Sequence, residues 1–138
     1  MEINFFFQDN IQLRLNKAEL IKRFEKIAFF EKYCLDAINY IFVSDRTILL
    51  YNKSYLNHKY PTDIITFDYS EDFIISGDIY ISLDTIKYNS KKFNSAFKNE
   101  LNRVMVHGLL HLMKLNDKSA AQKIEMRKKE DYYLKLFS

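Results

Sequence analysis

The segment from Asn99 to Leu115 reads as one long helix that is apolar on nearly every side, with Val104, Met105, Leu109, Leu110 and Leu112 spread round it. A helix of that kind is buried, so the rest of the chain has to pack about it. Two histidines, His107 and His111, lie within it. A histidine in such a helix needs a partner, and a metal in a cleft is one.

The other elements follow from caps and periodicity. Glu2 to Phe7 is predicted as a first strand. Asn16 caps a helix, with Glu19 in the capping-box position and Leu20, Phe24, Ile27 and Ala28 at helical spacing. Residues 38–43 are predicted as a second strand, and Ser44 or Asp45 caps a short helix to about Tyr55. Thr62 to Phe67 is a third strand, placed after Pro61, which has no donor for a ladder. In Gly77 to Ser82, Ile79 and Ile81 point one way and Asp78 and Tyr80 the other, the alternation of a fourth strand. Asp68 to Ser76 is a hairpin-like connection between the two. A helix then runs from Ser82 or Leu83 to about Phe93, and Ser119 with Gln122 opens a last helix to about Leu136. The expected fold is α+β: a single domain over residues 1–138, a mixed sheet of about four strands packed with about five helices, and the apolar helix at its centre.

Composition sets the class. A chain of 138 residues buries roughly 65–70% of its unfolded surface and needs neither disulfide nor metal to fold. Cys34 is the only cysteine, so there is no disulfide framework, which fits a reducing, cytoplasmic compartment. The start, Met1 to Phe5, lacks the basic residues and apolar core of a secretory signal, and no run is long enough to span a membrane. The 21 basic and 18 acidic residues leave a net charge of +3. That suits RNA but is below the footprint of a strong nucleic-acid binder. Glycine occurs only twice, which makes Gly77 and Gly108 informative.

The chemistry concentrates in residues 107–117, H-G-L-L-H-L-M-K-L-N-D. His107 and His111 are four apart, so a helix sets both imidazoles on one face, one turn apart. This spacing lets two nitrogens hold one metal ion. Asp117 follows six residues later, where a turn at Asn116–Asp117 can return a carboxylate to the same ion. Two histidines and a carboxylate leave a fourth position open, the pattern of a catalytic zinc site with one Zn²⁺ per chain. The bland alternative is a pair of satisfied histidines beside a polar turn. Position 108, which in H-E-x-x-H proteases carries the general base, is Gly108, and this argues against peptide hydrolysis. A glycine inside a helix costs about 1 kcal/mol relative to alanine, so Gly108 signals close packing or a need for space.

Three segments in order carry a family resemblance: Tyr55 to Phe67 (Y-L-N-H-K-Y-P-T-D-I-I-T-F), Gly77 to Ser82 (G-D-I-Y-I-S), and His107 to Asp117. Together they resemble the YbeY endoribonuclease family, whose pattern is a tyrosine and arginine before P-T-D-V-L-S-F, then G-D-I-x-I-S, then H-G-x-L-H-L-x-G-Y-D-H. The stretch Leu50 to Tyr55 resembles the lead-in. Glu125, Met126 and Glu130 resemble the E-M-x-x-x-E ending. The chain departs from the pattern at three places. Asp117 stands where the third metal ligand is usually histidine, Leu56 replaces the arginine thought to serve activity, and Lys114 replaces the glycine after the helix.

The resemblance implies a metal-dependent endoribonuclease that cuts single-stranded ribosomal RNA and matures the 3′ end of the small-subunit RNA. Its implied partners are ribosomal RNA, the small ribosomal subunit and other ribosome-assembly proteins, with no membrane. Asp63 is a weak candidate for the general base, set against the plainer reading of a strand-start or turn aspartate. Glu100 is a candidate partner for a ligand histidine, or an early-helix acid favoured by the dipole. His58, Lys59 and Thr62 are candidates for substrate contact, the first two as stand-ins for the missing arginine. The run Asp78 to Ser82 is either an exposed strand lining the cleft or plain sheet pairing. Two rivals stand beside this reading: an RNA- or ribosome-binding biogenesis factor with weakened catalysis, for which Leu56 speaks, and a hydrolase of peptides or small molecules.

Overall fold

The computed structural model describes residues 1–56 and 62–137, and these described residues form four strands and five helices. The order is β1 (Glu2–Phe7), α1 (Lys17–Glu31), β2 (Cys34–Val43), α2 (Asp45–Leu56), β3 (Ile64–Asp68), β4 (Ile74–Ser82), α3 (Leu83–Lys92), α4 (Phe97–Leu112) and α5 (Ala120–Leu136). The sheet runs β1-β2-β4-β3. β1, β2 and β4 are mutually parallel, and β3 pairs antiparallel to β4 in a hairpin. The expected α+β architecture with a mixed sheet is the one observed.

Alternation divides the sheet residues between two faces. Ile3, Phe5, Ile38, Tyr40, Phe42, Ile79 and Ile81 pack with α1 and α4 into the main core, while Ile41, Val43 and Ile65 form a smaller cluster with Ile48 of α2. The fully buried Tyr40 links sheet to central helix: its ring stacks on Phe24 at 5.2 Å, and its hydroxyl donates to the Met105 carbonyl at 2.9 Å. The backbone approaches most closely at the two glycines. A Cβ on Gly108 would lie 2.8 Å from Ile64 Cδ1 and 2.9 Å from Ile79 Cγ2. One on Gly77 would lie 2.6 Å from the Phe67 carbonyl oxygen. α4 therefore lies directly on β3 and β4.

Boundaries differ from expectation where local signals are weak. β2 begins at Cys34 rather than residue 38, because its exposed, non-alternating start is held by pairing from Cys34–Ile74 onward. β4 likewise starts at Ile74. α4 starts at Phe97, after Ala96, which makes no side-chain capping bond. It ends at Leu112 rather than Leu115, because Lys114 takes a left-handed φ of 71°. The amides of Lys114 and Leu115 then close on the carbonyls of His111 and Leu110, at 3.1 Å each, a full Schellman ending. Asn16, Ser82 and Ser119 cap α1, α3 and α5 through their side chains, and Ser119–Gln122 closes a reciprocal capping box.

Candidate metal centre

His107 and His111 rise from the buried helix α4 onto its one open side, each about a fifth exposed. Their Nε2 atoms lie 2.9 Å apart. Asp117 Oδ2 sits 3.3 Å from His107 Nε2 and 3.4 Å from His111 Nε2. Among the described residues this is the group of histidine and acidic side chains whose donor atoms converge as a metal site requires. Asp117 is delivered by the short loop between the Schellman ending of α4 and the capping box of α5. Lys118 and Ser119 both donate backbone amides to Gln122 Oε1 at 3.1 Å, which fixes the loop just after Asp117.

The protonation pattern tests whether a cation fits. The outer nitrogen of His111, Nδ1, meets the Leu115 carbonyl at 2.9 Å. A carbonyl only accepts, so Nδ1 carries the hydrogen and Nε2 holds a lone pair. The outer nitrogen of His107 meets Glu130 Oε2 at 2.6 Å, and Glu130 is 4% exposed. A carboxylate on Nδ1 sets the same tautomer. In the neutral rings two lone pairs and a carboxylate oxygen thus face one another, an arrangement a cation relieves. Three ligands at about 2.0–2.1 Å from one tetrahedral ion lie about 3.3–3.4 Å from each other, close to the separations here. The residues fit a metal.

Glu130, which the sequence reading placed in the family-like ending without a role at the site, is the partner of His107. Its second oxygen accepts from Arg103 Nη1 at 3.1 Å, while Arg103 Nη2 reaches Asp131 at 2.8 Å. A chain of contacts, Arg103 to Glu130 to His107, therefore runs from surface to centre. The available signal was Met126, Glu130 and Tyr133, at helical spacing and all buried on α5. An acid on that stripe requires a partner. Glu100 does not touch either histidine in this arrangement; it accepts from Ser95 Oγ at 2.9 Å in the first turn of α4.

Electrostatics follow from the contacts. Burial alone would lower the His107 imidazole, but the Glu130 carboxylate, with Asp117 and Asp63 nearby, more than offsets it and holds His107 above its ordinary value. Burial and the neighbouring His107 hold His111 below its own. Burial raises the Asp63 carboxyl, against the opposing pull of His107. Asp63 lines the same cleft as His107 and Asp117, a cavity of about 460 Å³. Its own carbonyl accepts from the Ser82 amide at 2.9 Å, which ties the start of β3 to the end of β4.

The remaining candidates fall in different places. Thr62 turns its hydroxyl onto the Ile64 carbonyl at 3.2 Å. His58 and Lys59 lie outside the described residues. The run Asp78 to Ser82 is no exposed edge: β4 is flanked by β2 and β3, and Asp78 and Tyr80 face away from α4. Asp78 accepts from Asn39, which itself accepts from Asn4, in a polar ladder across three strands. Lys114 holds the left-handed position that glycine would favour, and α4 ends there.

Comparison with known proteins agrees with this geometry. A family profile described as Endoribonuclease YbeY matches residues 5–138. A Cytophaga hutchinsonii protein named Endoribonuclease YbeY is 47% identical over 137 residues, covering 98% of this chain and 96% of that protein. Proteins of the same name from Karelsulcia muelleri and Bacteroides thetaiotaomicron are 42% and 44% identical over 132 and 117 residues. They cover 96% and 85% of this chain, and 93% and 85% of their own lengths. A solution structure of a Thermotoga maritima protein superposes with a TM-score of 0.68 at 27% identity, covering 99% of this chain and 89% of that one.

Proposed function

We propose that this chain, which belongs to the YbeY endoribonuclease family, cuts single-stranded RNA with one zinc ion held by His107, His111 and Asp117, and acts in maturing the 3′ end of small-subunit ribosomal RNA in the cytoplasm. The observation that carries the reading is the convergence of three donor atoms, 2.9, 3.3 and 3.4 Å apart, whose tautomers leave a place for a cation. Donor type supports zinc: two imidazole nitrogens and one carboxylate suit that ion, with a fourth position left for a water or substrate. No described helix is long and apolar enough to cross a membrane.

When bound, the ion supplies a Lewis acid that acidifies a water and offsets charge developing on a phosphodiester. The chain's own residues do the rest. Glu130 fixes His107 with its Nε2 toward the centre, and the Leu115 carbonyl does the same for His111. Asp63, its carboxyl raised by burial in the same cleft, is the group we assign to accept a proton from the attacking water. Gly108 lets β3 lie close enough to α4 for Asp63 to share that cleft.

The test is cleavage of an end-labelled single-stranded RNA and its matched duplex, with metal content measured by mass spectrometry on the same samples. The expected result is about one zinc per chain and cutting of the single strand alone. His107→Ala should lose both metal and cutting while keeping its circular dichroism. Cutting that survives in His107→Ala would overturn the site assignment. Metal-free wild type that still binds ribosomal particles would instead favour a biogenesis factor without efficient catalysis, the reading to which Leu56 points.

A further inference from the structure

The cleft beside the metal centre has two walls. One is the C-terminal end of α3, where Asn89 and Phe93 line it; the other is the first half of α5, where Lys123 and Arg127 do. Phe93 is the one aromatic among the described lining residues, and it is 64% exposed. The core does not use it. Its position is nevertheless fixed: it caps α3, with its amide on the Asn89 carbonyl at 2.9 Å, and Asn94 then turns left-handed at φ 51°. The ammonium of Lys92 stands 5.5 Å from the Phe93 ring centroid. Across the cleft, the Arg127 side chain is 63% exposed; its nearest carboxylate, Glu130, is 3.9 Å away and already held by Arg103 and His107.

An exposed aromatic ring on a fixed stretch of backbone, faced by loosely held cations, is the recognition chemistry of single-stranded nucleic acid. Bases stack on the ring whatever their identity, and phosphates take the cations. A duplex keeps its bases stacked on one another and cannot use the ring. The floor of the cleft is acidic at Asp63, Glu100, Asp117 and Glu130, so phosphates flanking the cut must find their cations on the walls.

We infer that Phe93 stacks an unpaired base next to the scissile phosphate, and that Arg127 and Lys123 on the opposite wall hold the flanking phosphates. This assignment rests on the endoribonuclease reading above and adds the residues that make it selective for single strands.

The experiment compares wild type, Phe93→Ala, Phe93→Tyr and Arg127→Ala, each loaded with zinc, by fluorescence anisotropy on a single-stranded RNA and its duplex across a salt series. Steady-state and single-turnover cleavage are measured in parallel. Phe93→Ala should weaken single-strand binding roughly 5- to 160-fold, the range for one lost stacked base, with the salt slope and duplex binding unchanged. Its loss should appear in KM rather than kcat, and Phe93→Tyr should restore it. Arg127→Ala should weaken binding and flatten the salt slope by about 0.7, one single-strand phosphate contact. If Phe93→Ala binds and cuts as wild type does, while His107→Ala is inactive, the stacking assignment falls and the nuclease reading stands. If wild type neither binds nor cuts the single strand, both fall.

Discussion

His107 and His111 stand one turn apart on the same helix with nearly equal exposure, yet they are held by different means. The support of His107 is tertiary: the carboxylate of Glu130, from a helix 23 residues further along, itself gripped by Arg103. The support of His111 is local: the carbonyl of Leu115, four residues on, presented by the ending of its own helix. One side of the site therefore depends on the docking of α5 against α4, and the other only on how α4 terminates. Side-chain chemistry can remove the first support; only a change of backbone shape can remove the second.

The largest effect separating the two should come from Glu130→Gln. It keeps the volume and loses the charge on His107 Nδ1, and should weaken zinc binding about 10- to 100-fold, read by competition with a chromophoric chelator. An unchanged affinity would mean that docking of α5 does not govern His107. Next comes Lys114→Val, which forces a β-branched residue into a left-handed position. It should cost about 1–2 kcal/mol, a fall in Tm of several degrees, and loosen metal binding through Leu115 and His111. The converse, Lys114→Gly, should stabilise by about 0.5–1 kcal/mol and leave metal affinity as it is, even though the exposed ion pair of Lys114 with Asp68 at 2.9 Å is lost; such pairs contribute about 0–1 kcal/mol. A drop in Tm would show the pair to matter more than the backbone. Smallest should be Asp117→His. Asp117 stands equally close to both histidines, and an imidazole there restores the commoner ligand, so zinc content by mass spectrometry should stay near one per chain.

The same division explains what the sequence could disclose. Helix starts were legible because Asn16, Ser82 and Ser119 cap through their own side chains, and a cap is a local event. The three converging donors were legible because they span eleven positions of one helix and its turn. The strand order β1-β2-β4-β3 was not, because nothing in a strand's own residues names its neighbour. Nor was the partner of His107. Glu130 lies in a run rich in Lys and Glu, and the sequence pointed to Glu100 because it shares a helix with the histidines. The start of β2 was missed for a related reason: residues 34–37 lack alternation, and pairing with Ile74 makes them a strand.

The Leu115 carbonyl on His111 has a consequence for how such a site drifts over time. A backbone carbonyl is present whatever residue bears it, so alanine scanning passes over this half of the site without a signal. Selection on residue identity is equally blind to it and acts only on the shape of the turn. Lys114 shows as much: a lysine takes the left-handed position at that corner and the turn still closes on the His111 and Leu110 carbonyls.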